Sequence, residues 1–407
     1  MLNSKNVQSI IKGRIPGQVI IQYTNGCNAT CPQCSMRRTE TFERSKLEES
    51  EIRKIIDSAA SQEIQALSFT GGEPFLYQEQ LISLIQYASE LGIPYIRTGT
   101  NGFMFTNTES NHFIDKIERF AEKLARTRLR NFWISIDSCD PKTHEEMRGL
   151  KGVINGIEKA LPIFHQYGIY PAANLGINRY TGGKDNIPFK MTDKEEFYEA
   201  FQTAFERFYQ FVIDIGFTMV NACYPMSVEN TPDSRMNAVY GATSNNAVIT
   251  FTKEEKIQMF RALMDTIPKF RHRIRIFTPL VSLYSLIQQF EGKNNFSYPC
   301  RGGIDFFFID AADGNTYPCG YRGNENMGKF YELDVNALKA KSFCKACDWE
   351  CFRDPSELIG HVIHSVHYPF DYMTNRNKDS KYRHLWKEDL KYYALCDYFD
   401  GRKAINF

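Results

Sequence analysis

The sequence reads as an α/β protein, a partial (β/α)6 barrel of parallel strand-helix units followed by a small C-terminal α+β domain that gathers cysteines. Three observations predict it. Strand-like apolar runs alternate with helix-period segments over the first 270 residues, the pattern of parallel strands joined by crossover helices. The residues that carry chemistry fall at the carboxyl ends of those runs, where reactive groups collect in barrel folds. Eight of the eleven cysteines lie in two groups at opposite ends of the chain. At 407 residues the chain exceeds the usual single-domain size and suits one domain of barrel dimensions plus a smaller one.

Each element has its own signal. Strands are expected at 19–24, 66–70, 95–100, 132–137, 170–177 and 217–222, each an apolar run ending in polar residues or glycine. Helical periodicity marks 49–60, 78–91 and 153–167, the last stopped by Gly168 as a C-cap. Residues 181–193 carry Gly182, Gly183, Asp185, Asn186 and Pro188 and read as a loop over the barrel mouth, before a long helix reaching about residue 213. A connecting strand and helix follow at 271–290. The expected division is a barrel over 1–270, a linker and cysteine-rich domain over 271–355, and an aromatic-rich extension over 356–407.

Composition narrows the function classes. With 49 basic and 48 acidic side chains the net charge is +1, which leaves no electrostatic footprint for nucleic acid or an anionic membrane. No apolar stretch is long enough to span a membrane, and the first residues lack a signal-peptide core, so a cytoplasmic protein is expected. Cysteines kept reduced in that compartment point to thiolate ligation rather than disulfides.

Cys27, Cys31 and Cys34 follow the first strand directly. Three thiolates on a four-iron cubane leave one iron open for a small molecule, as a catalytic metal site keeps a position free. Zinc would need a fourth ligand nearby, and no cysteine or histidine pair follows within zinc-finger distance. The spacing C-x3-C-x2-C, with Gly71-Gly72-Glu73-Pro74 about forty residues later at the end of the second strand, resembles the radical S-adenosylmethionine superfamily. That resemblance implies a 4Fe-4S cluster whose unique iron chelates S-adenosylmethionine, reductive release of a 5'-deoxyadenosyl radical, and an external one-electron reductant such as flavodoxin or ferredoxin. The residue before the third cysteine is usually aromatic in the family and here is Gln33.

By the same resemblance, Gly71, Gly72, Glu73 and Pro74 would hold the methionyl amino group, on a turn whose glycines admit close backbone approach. Asn101, in Thr100-Asn101-Gly102, would stand at the barrel mouth. Ser135 or Asp137 would bind the ribose hydroxyls, Arg148 would pair with the methionine carboxylate, and Ile177 and Asn178 would line the adenine. An arginine fork suits a carboxylate well.

The second group is Cys300, Cys319, Cys344, Cys347 and Cys351. Residues 305–309 and 315–319 read as the strands of a hairpin around Asp313-Gly314, with Cys319 at its end. The spacing resembles the auxiliary-cluster domains called SPASM and Twitch. The core here is C-x2-C-x3-C, one cysteine short of the full SPASM pattern even with Cys396 as a late candidate, which favours the Twitch arrangement with one auxiliary 4Fe-4S cluster. Cys300, Cys319, Cys344 and Cys347 are the expected ligands, with Cys351 competing for the fourth position. A zinc ribbon is the alternative for the same four residues.

Cys139 and Cys223 close the fourth and sixth strands as candidate hydrogen-atom donors, although a buried cysteine is more often apolar filler. His361, His364 and His367 share one side of a helix, a spacing read as solvated polarity before metal binding. Aromatic residues through Tyr392, Tyr393, Tyr398 and Phe399 suggest an extension packed on the barrel.

The resemblance implies abstraction of hydrogen from an unactivated C–H bond, with net oxidation or bond formation. The expected substrate is a small or lipid-like molecule; peptide maturation is the alternative, set second because only eighteen residues precede the first strand and leave no fused leader-binding module. A noncatalytic iron-sulfur or zinc protein is the alternative of another class.

Overall fold

Nine strands form one sheet in the order β7-β6-β5-β4-β3-β2-β1-β8-β9, in a computed structural model that describes residues 9–34, 44–225, 239, 246–293, 298–339, 344–367 and 380–405. In chain order the barrel elements are β1 (Gln18–Thr24), α1 (Glu49–Ser61), β2 (Ala66–Gly71), α2 (Gln78–Glu90), β3 (Tyr95–Thr100), α3 (Phe113–Ala125), β4 (Leu129–Ser135), α4 (Pro141–Arg148), α5 (Val153–Gln166) and β5 (Ala172–Gly176). They continue with α6 (Lys194–Asp214), β6 (Met219–Cys223), α7 (Lys253–Phe270), β7 (Arg275–Ile276), α8 (Leu280–Phe290), β8 (Phe306–Ile309), β9 (Thr316–Tyr317), α9 (Glu350–His367) and α10 (Ser380–Leu395). Neighbouring strands from β7 to β8 pair in parallel, and only β8 with β9 is antiparallel. This is the α/β architecture of a partial parallel barrel.

The helices cover the outer face because their apolar residues recur at helical spacing. α1 buries Ile52, Ile55, Ile56 and Ala59, and α6 buries Phe197, Phe201, Phe205 and Phe208. Caps fix where they start: Asp193 accepts from the backbone of Glu195 and Glu196 at α6, and Thr252 with Glu255 forms a capping box at α7. Gly168 lies just past α5 with φ +67°, as its C-capping role requires.

Two edges of the sheet differ from the sequence reading. The short strand expected between domains is β7, hydrogen-bonded to β6, and β8 of the expected hairpin pairs in parallel with β1 over residues Gln18 to Ile21. The cysteine-rich segment therefore continues the barrel sheet. β4 begins and ends earlier than expected, so Asp137 sits in the loop beyond it, where its backbone N–H donates to His144 Nδ1 at 3.0 Å.

The C-terminal extension packs on the amino ends of the strands. Gly401 N donates to Arg130 O (2.8 Å) and its carbonyl accepts from Tyr170 N (2.7 Å), while Asp400 pairs with Arg130. Tyr392, Tyr393 and Phe399 join Ala172 and Met219 in one apolar cluster. Residues 368–379 of the expected extension lie outside the described residues. His361 is buried against Trp386, with ring centroids 4.5 Å apart, rather than solvated as the sequence suggested; the α9 face that carries it packs on α10. No helix among the described residues is long and apolar enough to cross a membrane.

Candidate active site

A cavity of about 290 Å³ opens at the carboxyl ends of β1 to β5, and Cys27, Cys31 and Cys34 form one of its walls. The Cys27 sulfur accepts from Ala29 N at 3.4 Å and lies 3.7 Å from Asn101 Nδ2, the N–H environment that stabilises a thiolate. Cys31 is buried, and burial pushes its thiol up to about 12, with Asp137, Cys34 and Cys27 adding and Arg148 opposing. Binding iron would release that proton. The three thiols line one side of the cavity, although no three potential ligands among the described residues are drawn together tightly enough to hold a metal ion as they stand.

Gly71 through Pro74 form the facing wall, and here the glycines are obligatory. A Cβ on Gly71 would lie 2.1 Å from Thr24 O, at φ +149°, and one on Gly72 would lie 2.0 Å from Gly26 O. The turn is thereby bound to the cysteine loop: Gly72 N donates to Thr24 O (2.7 Å) and Glu73 N to Gly26 O (2.8 Å). The carboxylate of Glu73 is fully buried and accepts from Phe75 N (3.0 Å) and Asn101 N (2.6 Å), so its side chain braces the protein's own backbone. Burial raises its pKa to about 7.

Asp137 is the hub of the third wall. Its Oδ2 lies 2.8 Å from Arg148 Nε and accepts from Gln33 Nε2 at 2.8 Å. The structure thus engages Asp137 and Arg148 with each other, and gives Gln33 a polar partner in place of an aromatic contact. Burial works to lower the Arg148 pKa, but the charges of Asp137 and Cys31 outweigh it and raise it. His144 was missed in the sequence, although it stands four residues before Arg148 on the same face of α4. It is fully buried and kept neutral, its pKa lowered to about 3 by burial, and it fixes the Asp137 backbone. Ser135 lines the same cavity.

Other expectations are corrected. Ile177 does not line the cavity; its side chain is in the main apolar core and its backbone N–H pairs with Cys223 O, because residue parity on β5 turns it outward. Asn178 instead donates to Asp137 O (2.8 Å) and Gly176 O (2.7 Å), holding the loop. The 181–193 loop contributes no residue to the lining: Arg179, just before it, donates to Pro188 O (2.6 Å) and pairs with Glu255 (2.9 Å) at the start of α7. Cys139 also lies outside the lining, packed against the core with its backbone N–H on Thr181 O.

Inside the barrel a second cavity of about 200 Å³ shares Thr70, Trp133 and Asn174 with the first. Cys223 lines it, paired in register with Gly176 of the first cavity. From the opposite side the start of α9 contributes Trp349, Glu350 and Cys351. Cys351 Sγ stands 3.5 Å from Glu350 Oε1. Burial raises the Cys223 and Cys351 pKa values well above the thiol norm and that of Glu350 to about 7. Nothing in the sequence marked Glu350, since only the fold brings α9 into the barrel.

The remaining cysteines meet around the hairpin. Cys300, Cys319, Cys344, Cys347 and Cys351 all belong to an apolar cluster with Phe306, Phe308, Tyr321 and Phe352, and Cys300 N donates to Cys344 O at 2.8 Å. The Cys319 thiol is pushed up to about 12, by burial first, with Cys300 and Cys344 adding. Cys347 is raised by burial and by Cys319 and Cys300. Cys351 also lines the barrel cavity, where burial first and then the Glu350 charge raise its thiol.

Residues 21–187 match the family model described as Radical SAM superfamily. An AdoMet-dependent heme synthase of Methanosarcina barkeri is 24% identical over 366 residues, covering 85% of this chain and 87% of that protein. A GTP 3',8-cyclase of Alkaliphilus metalliredigens is 32% identical over 147 residues, 35% of this chain and 42% of that protein. Among solved structures, Streptococcus suis SuiB bound to S-adenosylmethionine superposes with TM-score 0.52 at 16% identity, covering 82% of this chain and 68% of that one. The match spans every wall of the first cavity, so the part of the chain that is similar to the radical SAM superfamily is the part that builds this site.

Proposed function

We propose that this protein cleaves S-adenosylmethionine reductively and uses the resulting 5'-deoxyadenosyl radical to take hydrogen from an unactivated C–H bond, with net oxidation or bond formation on a small molecule. The observation that carries this reading is the convergence of Cys27, Cys31 and Cys34 with the Gly71-Gly72 turn and the Asp137–Arg148 pair around one cavity. Cys27, Cys31 and Cys34 would hold a 4Fe-4S cluster, which when bound would supply the electron for cleaving the sulfonium. The chain's own residues would position the cosubstrate: the Gly71-Gly72 backbone its amino group, Arg148 its carboxylate, and Ser135 or Asp137 its ribose.

A second 4Fe-4S cluster on Cys300, Cys319, Cys344 and Cys347 is the reading we favour for the hairpin cysteines, supported by the apolar cluster they share; Cys351, in the same cluster, also lines the barrel cavity. The barrel cavity is the substrate site. Its volume of about 200 Å³ and its Asn131, Asn174 and Asn221 amides suit a small polar group, and a likeness to a heme synthase over most of both chains supports a small-molecule substrate over a peptide. The protein works in the cytoplasm with a flavodoxin- or ferredoxin-type reductant.

Anaerobic reconstitution with iron and sulfide, then dithionite and S-adenosylmethionine, tests the reading. Release of 5'-deoxyadenosine, lost in Cys27→Ala, is expected; reduction without cleavage would support an electron-transfer protein instead.

A further inference from the structure

The barrel cavity holds one cation. Arg97 is the single Lys or Arg side chain in its lining, carried inward by β3 with Ser68 of β2 and Asn131 of β4 as its register partners on either side. A charge held in an interior cavity is ordinarily paired. Half-buried Arg97 is not: among the described residues its one hydrogen bond runs from Nε to Ser68 Oγ, it has no ion pair, and both terminal nitrogens lack a protein acceptor. Glu350, the one carboxyl in the lining, is engaged by the Tyr224 backbone N–H (3.4 Å) and the Cys351 thiol (3.5 Å) instead.

The groups nearer the first cavity also leave room and donors for a ligand. Asn174 Oδ1 accepts from Asn221 Nδ2 (2.8 Å) and Cys223 Sγ (3.4 Å), which leaves the Asn174 Nδ2 hydrogens without a partner among the described residues. Trp133 lies flat on β3 because its register partner is Gly99: a Cβ there would sit 2.1 Å from the indole Nε1 and 2.2 Å from Cδ1. Any side chain at that position would push the ring into the lumen. With glycine the ring hugs the strand, and Thr70, Trp133 and Asn174 line both cavities as one continuous wall.

We propose that Arg97 takes the carboxylate of the substrate, so that the substrate class is a small monocarboxylic acid whose reacting carbon reaches up to Thr70, Trp133 and Asn174. The proposal rests on the function given above and narrows it. A guanidinium fork matches a planar carboxylate with two parallel hydrogen bonds. A phosphate carries close to two charges and would face Glu350 with only one cation to offset them.

Strand geometry sets the length of the molecule as well. Gly99 lines the first cavity and lies one inward-facing step beyond Arg97, about 6.6 Å along a parallel strand. A molecule pinned at Arg97 therefore presents to the S-adenosylmethionine cavity a carbon about that far from its carboxylate. Carbons closer to the carboxylate stay below the junction.

Equilibrium dialysis of radiolabelled hexanoate against the anaerobically reconstituted protein with S-adenosylmethionine bound tests this. Saturable binding is expected, with unlabelled hexanoate competing about tenfold or more better than neutral hexanamide, the worth of one charge-assisted pair, and better than hexyl phosphate. Arg97→Gln should lose the preference and bind hexanoate and hexanamide alike, while Arg97→Lys, which keeps the charge without the fork, should retain part of it. A purely structural role would weaken both ligands together and leave their ratio unchanged. That result, equal or better competition by hexanamide or hexyl phosphate in the wild type, or no saturable binding would overturn the anchor. The function beneath it fails separately: a wild type that binds hexanoate through Arg97 but releases no 5'-deoxyadenosine would overturn the radical chemistry and leave the carboxylate site standing.

Discussion

Arg148 Nε and Asp137 Oδ2 meet at 2.8 Å in a pair almost wholly withdrawn from water, on the wall of the cavity that the cysteines open. Removing one member strands the other's charge, which costs about 3–5 kcal/mol in buried pairs. Arg148→Ala is therefore expected to lower unfolding free energy by about that amount and to weaken S-adenosylmethionine binding. Denaturant unfolding and anaerobic calorimetry measure the two effects; a variant unchanged in both would mean the pair does not form in solution.

The glycine turn makes a sharper demand. Because a Cβ on Gly72 would sit 2.0 Å from Gly26 O, Gly72→Ala must push the cysteine loop away from the turn. Displacements of this kind cost about 10²-fold in rate. Uncoupled 5'-deoxyadenosine formation should fall by about that factor while the iron content of the first cluster holds. Wild-type rates in Gly72→Ala would show that this wall does not contact the cosubstrate.

Glu73 gives stability a defined pH dependence. Its pKa is raised from 4.5 to about 7, so within that window the folded chain keeps a proton that the unfolded chain has released. Its contribution is fully present below the window and is lost as pH rises through it. Glu73→Gln should flatten that slope, and should also lower stability by about 1–3 kcal/mol, because an amide cannot accept from both Phe75 N and Asn101 N. Urea midpoints taken across pH decide it: an unchanged slope would place the titrating group elsewhere.

The proposed ligand set makes Cys347 a ligand and Cys351 a thiol of the barrel cavity. Cys347→Ser is expected to lower the iron and sulfide content of reconstituted protein and to remove one cluster signal, whereas Cys351→Ser should leave both intact. Mössbauer spectroscopy reads the difference. Iron lost from the Cys351 variant would return that residue to the cluster.

Much of this was legible from residue order alone. Apolar runs ended by glycine or polar residues located β1, β2, β3, β5 and β6 to within two residues, because strand and helix periods are local properties of the chain. Cys27, Cys31 and Cys34 share one short loop, so their spacing already implied a common ligand. Residues that look outward or inward only by parity were harder: Ile177 and Gly176 are adjacent, yet only Gly176 faces the cavity.

The sequence by itself determined the parallel barrel, the cysteine loop and the glycine turn, each written in contiguous residues. Tertiary structure alone decided that β8 extends the sheet beside β1, that Arg148 is held by Asp137, and that α9 carries Glu350 and Cys351 to the barrel cavity. Those outcomes join residues up to hundreds of positions apart, or depend on which side of one helix a residue faces once packed. Local spacing does not encode either; the burial of apolar surface around the whole core does.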